Sequence, residues 1–299
     1  MIEIHRCPIC DGNTFIPFTS ILDHSISREK FTLIKCRDCE LLITSPRPSN
    51  DQLDKYYTSP AYTSHISTAK NIIDKVYLTA RNFTLKWKLS LIEKNTFDTS
   101  EKKLFDFGCG TGEFLKAAKL HGWQIAGMEP SPFARQQSDP AIRGDIQPSM
   151  KEFTNENKKF QVITLWHVLE HVEDLNTTLQ ELKRLLVESG TIFIAVPNHT
   201  SWDAKHYKQN WAGFDVPRHF WHFSMKSMTR LLEKHALTVV KIIPMRLDAF
   251  YISLLSEKYR NNDQVSILGL MKAFFKGLLS NHRARKNMEY SSLIYVVKK

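Results

Sequence analysis

Long apolar runs are missing from this 299-residue sequence, and none is long enough to span a bilayer. The first residues, Met1–Arg6, also lack the basic and then apolar layout of a secretory leader. We therefore expect a cytoplasmic protein without a membrane span. There are only five cysteines, and in a reducing compartment they are not expected to form disulfides.

Acidic residues are in short supply, 31 against 41 lysines and arginines, which gives a formal net charge of +10. Such a charge suits an acidic partner, namely nucleic acid, an anionic membrane surface or a nucleotide-linked substrate. A generally basic surface is the alternative explanation. The length suits one large α/β domain with appendages or two modest domains.

Four of the five cysteines form two Cys-x-x-Cys pairs, Cys7 with Cys10 and Cys36 with Cys39. Paired thiolates at this spacing close a tetrahedral Zn²⁺ site, and the metal supplies folding energy that so short a segment cannot gain from apolar burial. The pattern predicts a zinc-ribbon-like segment over residues 1–48 with a structural metal. Reduced free thiols, a redox dithiol and a nucleic-acid-binding ribbon remain as alternatives.

Residues 49–100 are predicted to form a helical linker or cap that leads into the next domain. Apolar residues recur at helical spacing from Ile72 to Leu91. Basic residues, Lys86 and Lys88 among them, fall largely elsewhere, and we assign them to a solvated face.

The third small residue of the dinucleotide-binding pattern G-x-G-x-x-G/A is absent from the turn at Gly108–Gly112. Glu113 stands in its place, and a carboxylate in the first turn of a helix would repel a bound phosphate. The apolar run before the turn, Leu104–Phe107, predicts a strand, and the residues after it begin a helix. We therefore expect a ligand that places no phosphate at this turn.

Strands and helices alternate beyond the turn, which is typical of a doubly wound parallel sheet. A leucine-rich helix from Leu175 is expected to end at Gly190 as its C′ residue, and Ser224 is expected to cap a helix over Met225–His235. The predicted strands are residues 104–107, 124–129, 142–146, 160–165, 191–196, 237–243 and 292–297.

The pattern Asp106-x-Gly108-x-Gly110-x-Gly112 resembles motif I of the class I S-adenosylmethionine-dependent methyltransferases. The resemblance implies an α/β, Rossmann-like seven-stranded sheet with an antiparallel last strand, in a domain over residues 101–299. Glu129, after the second strand, is then expected to accept hydrogen bonds from a ribose diol, and Asp145 to face the adenine amine. The expected cofactor-binding residues are Asp106, Gly108, Cys109, Gly110, Thr111, Gly112, Glu129, Pro130, Asp145, Ile146, Trp166 and His167.

The tetrad Asn/Asp-Pro-Pro-aromatic of the adenine-N6 methyltransferases is absent as well, since the fourth strand runs into Leu165–Val168. Base methylation of that type is therefore not expected. The run His167–His171 spells H-x-x-E-H, the pattern of an inverted zinc-protease site. Because His167 lies at a strand exit and not on an established helix, we reject that interpretation and consider His167 a wall or catalytic base of the methyl-transfer site.

Histidines and aromatic residues crowd the loop beyond the fifth strand, between His206 and Phe223. Neutral imidazole can accept the proton released when a nucleophile attacks a methyl group. The run His219–Ser224 is similar to a motif of the sugar C-methyltransferases, which act on nucleotide-linked ketosugars, and by that match His219 is the base, with His222 as a further candidate. The chain departs from that group at Arg218, which replaces an acid, and in lacking its long C-terminal domain.

Residues 251–288 are predicted to form a helical insertion in which apolar residues stand among basic neighbours. We expect these helices to cover the substrate site, while contact with a membrane surface or a partner is the alternative.

The sequence favours a methyltransferase that acts on a small molecule such as a sugar, a ring compound or a lipid-like metabolite. An RNA methyltransferase that grips its substrate with the zinc segment and basic helices is the second hypothesis. A cofactor-binding scaffold without turnover is the third. The acceptor atom, the acceptor molecule and the oligomeric state are left open.

Overall fold

The computed structural model describes residues 1–57, 72–96, 101–154, 158–264 and 266–299. Two stretches of the predicted helical linker, residues 58–71 and 97–100, thus lie outside the described residues. Among the helices that are described, none is long and apolar enough to cross a membrane.

The strands are β1 (Phe15–Leu22), β2 (Lys30–Cys36), β3 (Leu42–Thr44), β4 (Lys103–Phe107), β5 (Gln124–Met128), β6 (Ile146–Gln147), β7 (Phe160–Trp166), β8 (Leu186–Pro197), β9 (Trp221–His222), β10 (Thr238–Pro244) and β11 (Ser292–Lys298). The helices are α1 (Asn50–Leu53), α2 (Ile72–Asn95), α3 (Glu113–Leu120), α4 (Pro132–Gln137), α5 (Lys151–Thr154), α6 (Leu175–Leu185), α7 (Trp202–Tyr207), α8 (Met225–Lys234), α9 (Asp248–Arg260) and α10 (Ile267–Ala284).

The described residues form a seven-stranded sheet in the order β10-β11-β8-β7-β4-β5-β6. Strands β4 to β8 run parallel, and β11 is antiparallel to both of its neighbours. A parallel sheet is covered on both faces, and accordingly Leu104 and Phe105 in β4 are both fully buried. This confirms the predicted α/β sheet with an antiparallel last strand.

The predicted third strand, residues 142–146, is wrong in its bounds. Arg143–Asp145 form a 3₁₀ turn, and β6 consists of Ile146–Gln147 alone. Ile142 and Ile146 are both buried, and their spacing of four residues is that of a helical turn.

The predicted end of the leucine-rich helix is also wrong. Helix α6 ends at Leu185 and the chain enters β8 directly, so Gly190 lies inside a strand. Leu186 pairs with Phe160, whereas Thr191 pairs with Val162, and the register shift accommodates the extra residues between them. A Cβ on Gly190 would lie 2.6 Å from the Leu186 side chain, so this glycine permits a close approach within an irregular strand.

The N-terminal segment forms a second sheet in the order β1-β2-β3-β9. Its first three strands come from the predicted ribbon, but the closing strand β9 comes from the loop beyond β8. Leu42 pairs with His222, and Ile43 pairs with Trp221. Residues 1–48 are thus joined by backbone pairing to the loop that carries the predicted catalytic histidines.

A buried arginine holds that loop to the N-terminal segment. The Arg218 guanidinium, 1% exposed, donates hydrogen bonds to Asp23 (2.9 Å), to Asp215 (2.7 Å) and to the carbonyl oxygen of Tyr56 (3.0 Å). Burial raises the pKa of Asp23 and of Asp215, but Arg218 outweighs that effect and holds both pKa values below their ordinary range. The ion pairs therefore offset the desolvation cost that each of the three charged groups would carry if it were buried alone.

Replacing Arg218 by methionine should lower the free energy of unfolding by about 3–5 kcal/mol, because the buried carboxylate of Asp23 and the partly buried one of Asp215 lose their cation. Urea-induced unfolding measures the change. Lys226→Met, which breaks the exposed pair with Glu40, is the matched control and should cost less than about 1 kcal/mol. Equal effects of the two substitutions would contradict the role of the buried network.

Candidate active site

The glycine turn between β4 and α3 is held against the segment that follows β7. Gly108 has a φ of +73°, and a Cβ at this position would lie 2.6 Å from the Val168 side chain. Glycine is therefore required both for the backbone conformation and for the close contact. The contact brings the predicted cofactor turn beside His167–His171.

Glu129 lies directly beyond β5 and faces the same turn. Its carboxylate accepts hydrogen bonds from the backbone N–H groups of Gly110 (2.9 Å) and Ser131 (2.9 Å). Each carboxylate oxygen has a second lone pair, so the side chain can still accept hydrogen bonds from a ligand diol. Pro130 follows it, and its carbonyl oxygen accepts a hydrogen bond from Arg135 (2.8 Å).

Asp106 lies at the end of β4, almost fully buried, and accepts a 2.6 Å hydrogen bond from the Thr164 hydroxyl. Burial raises the pKa of Asp106 to about 7, although Lys88 nearby opposes the shift. The Lys88 ammonium lies 4.2 Å from the centre of the Trp166 ring, and burial lowers its pKa to about 8. Lys88 therefore does not lie on the predicted solvated face, because the helix turns it toward the end of the sheet.

The remaining predicted cofactor residues lie around this turn. Cys109 and Thr111 are part of it, and Ile146 is buried against Gly112, where a Cβ would lie 3.0 Å from its side chain. Asp145 is turned toward helix α3, with its carboxylate 3.0 Å from the Lys119 ammonium. The adenine contact of Asp145 stays a prediction.

His167 lies between two carboxylates at the exit of β7. Its Nε2 is 2.9 Å from Asp248 at the start of α9, and its Nδ1 is 3.5 Å from Glu170. Burial lowers the pKa of His167, but the two carboxylates outweigh it and raise the pKa to about 10. The two carboxylates favour the protonated ring, which suits His167 as a wall of the site better than as a base, and its role stays a prediction.

Glu170, His171 and His219 form a buried cluster beside His167. Nδ1 of His171 lies 3.0 Å from the carbonyl oxygen of Arg218, and Nδ1 of His219 lies 3.0 Å from that of Gly213. Both Nδ1 atoms therefore carry a proton, which leaves the Nε2 lone pair of a neutral ring free. Burial lowers the pKa of His171 to about 4, so His171 is neutral.

The carboxylate of Glu170 faces these two rings. One oxygen lies 4.0 Å from Nε2 of His219 and 3.5 Å from Nδ1 of His167. The carboxylate is thus shared between two imidazole rings. The ligand atoms of Glu170, His171 and His219 lie within 4.8 Å of one another, a spacing that could also hold a metal ion.

His222 is not part of this cluster. It belongs to β9 and is almost fully buried, with Nε2 3.0 Å from the Thr44 hydroxyl. Since that hydroxyl donates to the carbonyl oxygen of His219 (2.7 Å), Nε2 of His222 must donate to it. This geometry does not support His222 as a catalytic base: the side chain ties β9 to β3 within the second sheet.

Two functional candidates were missed by the sequence analysis. Glu170 stands in the H-x-x-E-H run, so a signal for it existed and was set aside together with the protease interpretation. Asp248 lies at the first position of α9, and nothing in its local sequence indicates that it meets His167.

The four predicted metal ligands converge at one end of the second sheet. The sulfur atoms of Cys7 and Cys39 are 3.4 Å apart, as are those of Cys10 and Cys36, and no disulfide joins them. All four lie within 4.8 Å of one another. Tetrahedral thiolates around zinc would be separated by about 3.8 Å, so the cluster has the size of a metal site.

The comparisons with known proteins agree with this architecture. A family model described as a methyltransferase domain matches residues 80–242, more than half of the chain. The ubiquinone biosynthesis O-methyltransferase of Histophilus somni is 30% identical over 124 residues, which cover 38% of this chain and 52% of that protein. The enzyme of the same name from Bartonella quintana is 26% identical over 153 residues, covering 46% and 61%. The chain spans about half the length of the first of these curated relatives.

Solved structures were compared as well. A methyltransferase from Archaeoglobus fulgidus that depends on S-adenosylmethionine has a TM-score of 0.49 at 17% identity, covering 73% of this chain and 94% of that one. A cyclopropane synthase from Mycobacterium tuberculosis has a TM-score of 0.48 at 12% identity, covering 71% and 83%.

The glycine turn, the acid beyond β5 and the strand order define a class I methyltransferase, as the resemblance at Asp106–Gly112 implied. With the match over residues 80–242, the chain belongs to the methyltransferase-domain family.

Proposed function

We propose that the protein transfers the methyl group of S-adenosylmethionine to a hydroxyl oxygen of a small molecule. The observation that carries this proposal is the buried carboxylate of Glu170 beside His219, two residues after Val168, which packs against Gly108 of the glycine turn. The name of the curated relatives, O-methyltransferase, supports oxygen as the acceptor atom. The net charge of +10 favours an acidic or nucleotide-linked acceptor.

The turn at Gly108–Gly112 and the carboxylate of Glu129 fit a cofactor with a ribose and without a phosphate. When bound, S-adenosylmethionine supplies an electrophilic methyl group on a sulfonium. Glu129 holds the ribose hydroxyls, and Lys88, beside Trp166, is placed to bind the carboxylate of the aminoacid tail.

Nε2 of His219 would accept the proton that the acceptor hydroxyl releases when its oxygen becomes methylated. Glu170 stabilises the imidazolium that forms, and the backbone carbonyl of Gly213 keeps the ring in the required tautomer. His171 stays neutral and so does not oppose this charge. Orientation of the two reactants and exclusion of water supply most of the rate enhancement.

Isothermal titration with S-adenosylmethionine and S-adenosylhomocysteine tests the cofactor assignment. We expect micromolar affinity for both ligands and a loss of about tenfold in Glu129→Ala, because hydrogen bonds from the ribose to a carboxylate are removed. Glu101→Ala changes an exposed acid and should leave both affinities unchanged. Binding of NAD in place of the sulfur ligands would overturn the assignment.

Transfer of a radiolabelled methyl group to a panel of hydroxyl-bearing sugars and phenols tests the base. His219→Asn should reduce the rate by about 100-fold or more and leave the affinity for S-adenosylmethionine unchanged, since the ring acts on the acceptor proton. His5→Asn changes an exposed histidine and should retain full activity. Activity that needs an added divalent metal while the zinc of the four cysteines is retained would contradict proton transfer and identify the Glu170 cluster as a metal site.

We also propose that Cys7, Cys10, Cys36 and Cys39 hold a structural Zn²⁺. Two hydrogen-bonded turns present the thiols, with the N–H of Asp11 bonded to the carbonyl oxygen of Cys7 (3.0 Å) and that of Glu40 to Cys36 (3.0 Å). Four protein ligands leave no open coordination position, so the metal stabilises the fold and takes no part in the reaction.

The purified protein should contain a single zinc ion per chain, measured by atomic emission. Cys36→Ser should lose the metal and lower the Tm by about 5 °C or more, because the folding energy supplied by the metal is removed. Cys109→Ser, which removes the thiol outside the cluster, should retain the zinc. A protein that folds equally well with and without metal would rule out the structural role.

A further inference from the structure

Helix α10 turns its small residues inward and its large apolar residues outward. Its buried positions are Gly269, Ala273, Gly277, Ser280 and Ala284, which recur every three or four residues along one face. The exposed residues on the opposite side are Ile267, Leu268, Met271, Phe274, Phe275 and Leu278, which we call the outer face.

The packing of α10 fixes this orientation. A Cβ on Gly277 would lie 2.7 Å from the Phe250 ring and 3.1 Å from its Cα atom, so α9 and α10 approach closely at this glycine. The Ser280 hydroxyl donates a 2.6 Å hydrogen bond to the buried carboxylate of Asp203. Larger side chains could not occupy the inner face, and the helix cannot rotate to bury its outer face.

The outer face is a continuous apolar surface among the described residues. Phe274 and Phe275 are 54% and 61% exposed, and their rings lie 6.0 Å apart. The Phe274 ring also lies 5.4 Å from that of Phe250. Large exposed apolar patches of this kind mark interaction surfaces in folded proteins.

The charge around the outer face has one sign. Residues 266–288 contain no aspartate or glutamate, but they contain five lysines and arginines, at positions 272, 276, 283, 285 and 286. Lys276 and Arg283 lie along one border of the helix, 5.8 Å and 5.2 Å from the centre of the Trp202 ring. An apolar face with a basic border is complementary to an anionic lipid surface.

We propose that α10 binds the surface of an anionic lipid bilayer. The helix lies in the plane of the interface, because no described helix can cross a membrane, and it inserts Phe274, Phe275 and Met271 among the acyl chains. Pairing with a second copy is disfavoured, since a two-fold contact would bring the same basic borders together without acidic partners. The proposal is independent of the methyl-transfer reaction.

Co-sedimentation of the full chain with lipid vesicles tests the proposal. We expect binding to equimolar phosphatidylcholine and phosphatidylglycerol and little binding to phosphatidylcholine alone. Phe275→Glu should weaken binding by about tenfold or more, the value of one large buried apolar side chain. Lys272→Gln should weaken it by about fivefold, since one charge near the anionic surface is lost.

Matched controls separate this surface from general effects. Phe18→Glu alters a phenylalanine on β1 that is 49% exposed, and Lys151→Gln alters an exposed lysine on α5; both should bind as the unmodified protein does. Circular dichroism establishes that each variant is folded. Equal binding to neutral and anionic vesicles, or equal loss in Phe275→Glu and Phe18→Glu, would overturn the proposal. So would a dimer in sedimentation velocity that Phe275→Glu dissociates, without any vesicle binding.

Discussion

The buried guanidinium of Arg218 is the group on which the arrangement of the site depends. It joins Asp23 from the N-terminal segment, Asp215 from the loop beyond β8 and the backbone at Tyr56, three points that are far apart in the sequence. The next residue is His219, so the base proposed here follows directly after this network. The Thr44 hydroxyl of β3 donates a hydrogen bond to the carbonyl oxygen of His219, which holds the histidine to the N-terminal segment.

Each cation discussed around the site lies near carboxylates. His167 is held between Glu170 and Asp248, and Lys88 lies near Asp106 and Asp248. Together with Glu129, the carboxylates outnumber the cations at this end of the sheet. A surplus of negative charge attracts a positively charged ligand, which suits a sulfonium better than a phosphate. This agrees with the absence of a third small residue at Glu113.

Local patterns in the sequence were enough to predict most strands of the large sheet, the glycine turn and the convergence of the four cysteines. Each of these depends on residues close together in the chain, such as the apolar run before Gly108 or the two Cys-x-x-Cys pairs. The bounds near Gly190 failed because a buried Leu186 begins a strand at once, and helical periodicity carries no information on strand pairing. At residues 142–146 the error is the opposite one, since a strand was predicted where the chain forms a 3₁₀ turn.

The contacts that define the proposed catalytic groups could not be predicted, since they join distant elements. Glu170 and His219 meet only after the loop beyond β8 folds back, and Asp248 reaches His167 from α9. Nothing near Arg218 in the sequence indicates that Asp23 pairs with it, so the arginine before His219 was interpreted only as a departure from a related motif. Lys88 was predicted to lie on a solvated face because it is charged, although its position on α2 turns it toward Trp166.

The pairing of β3 with β9 has a consequence for synthesis of the protein on the ribosome. Residues 1–48 emerge before β9, so the edge of their sheet stays open until Trp221 and His222 have been made. An unpaired strand edge invites association with other chains, and long-range pairing is slow to form. The nascent chain therefore has an incomplete N-terminal sheet while most of the large domain is being translated, and a metal ion bound early would keep that sheet folded until its last strand arrives.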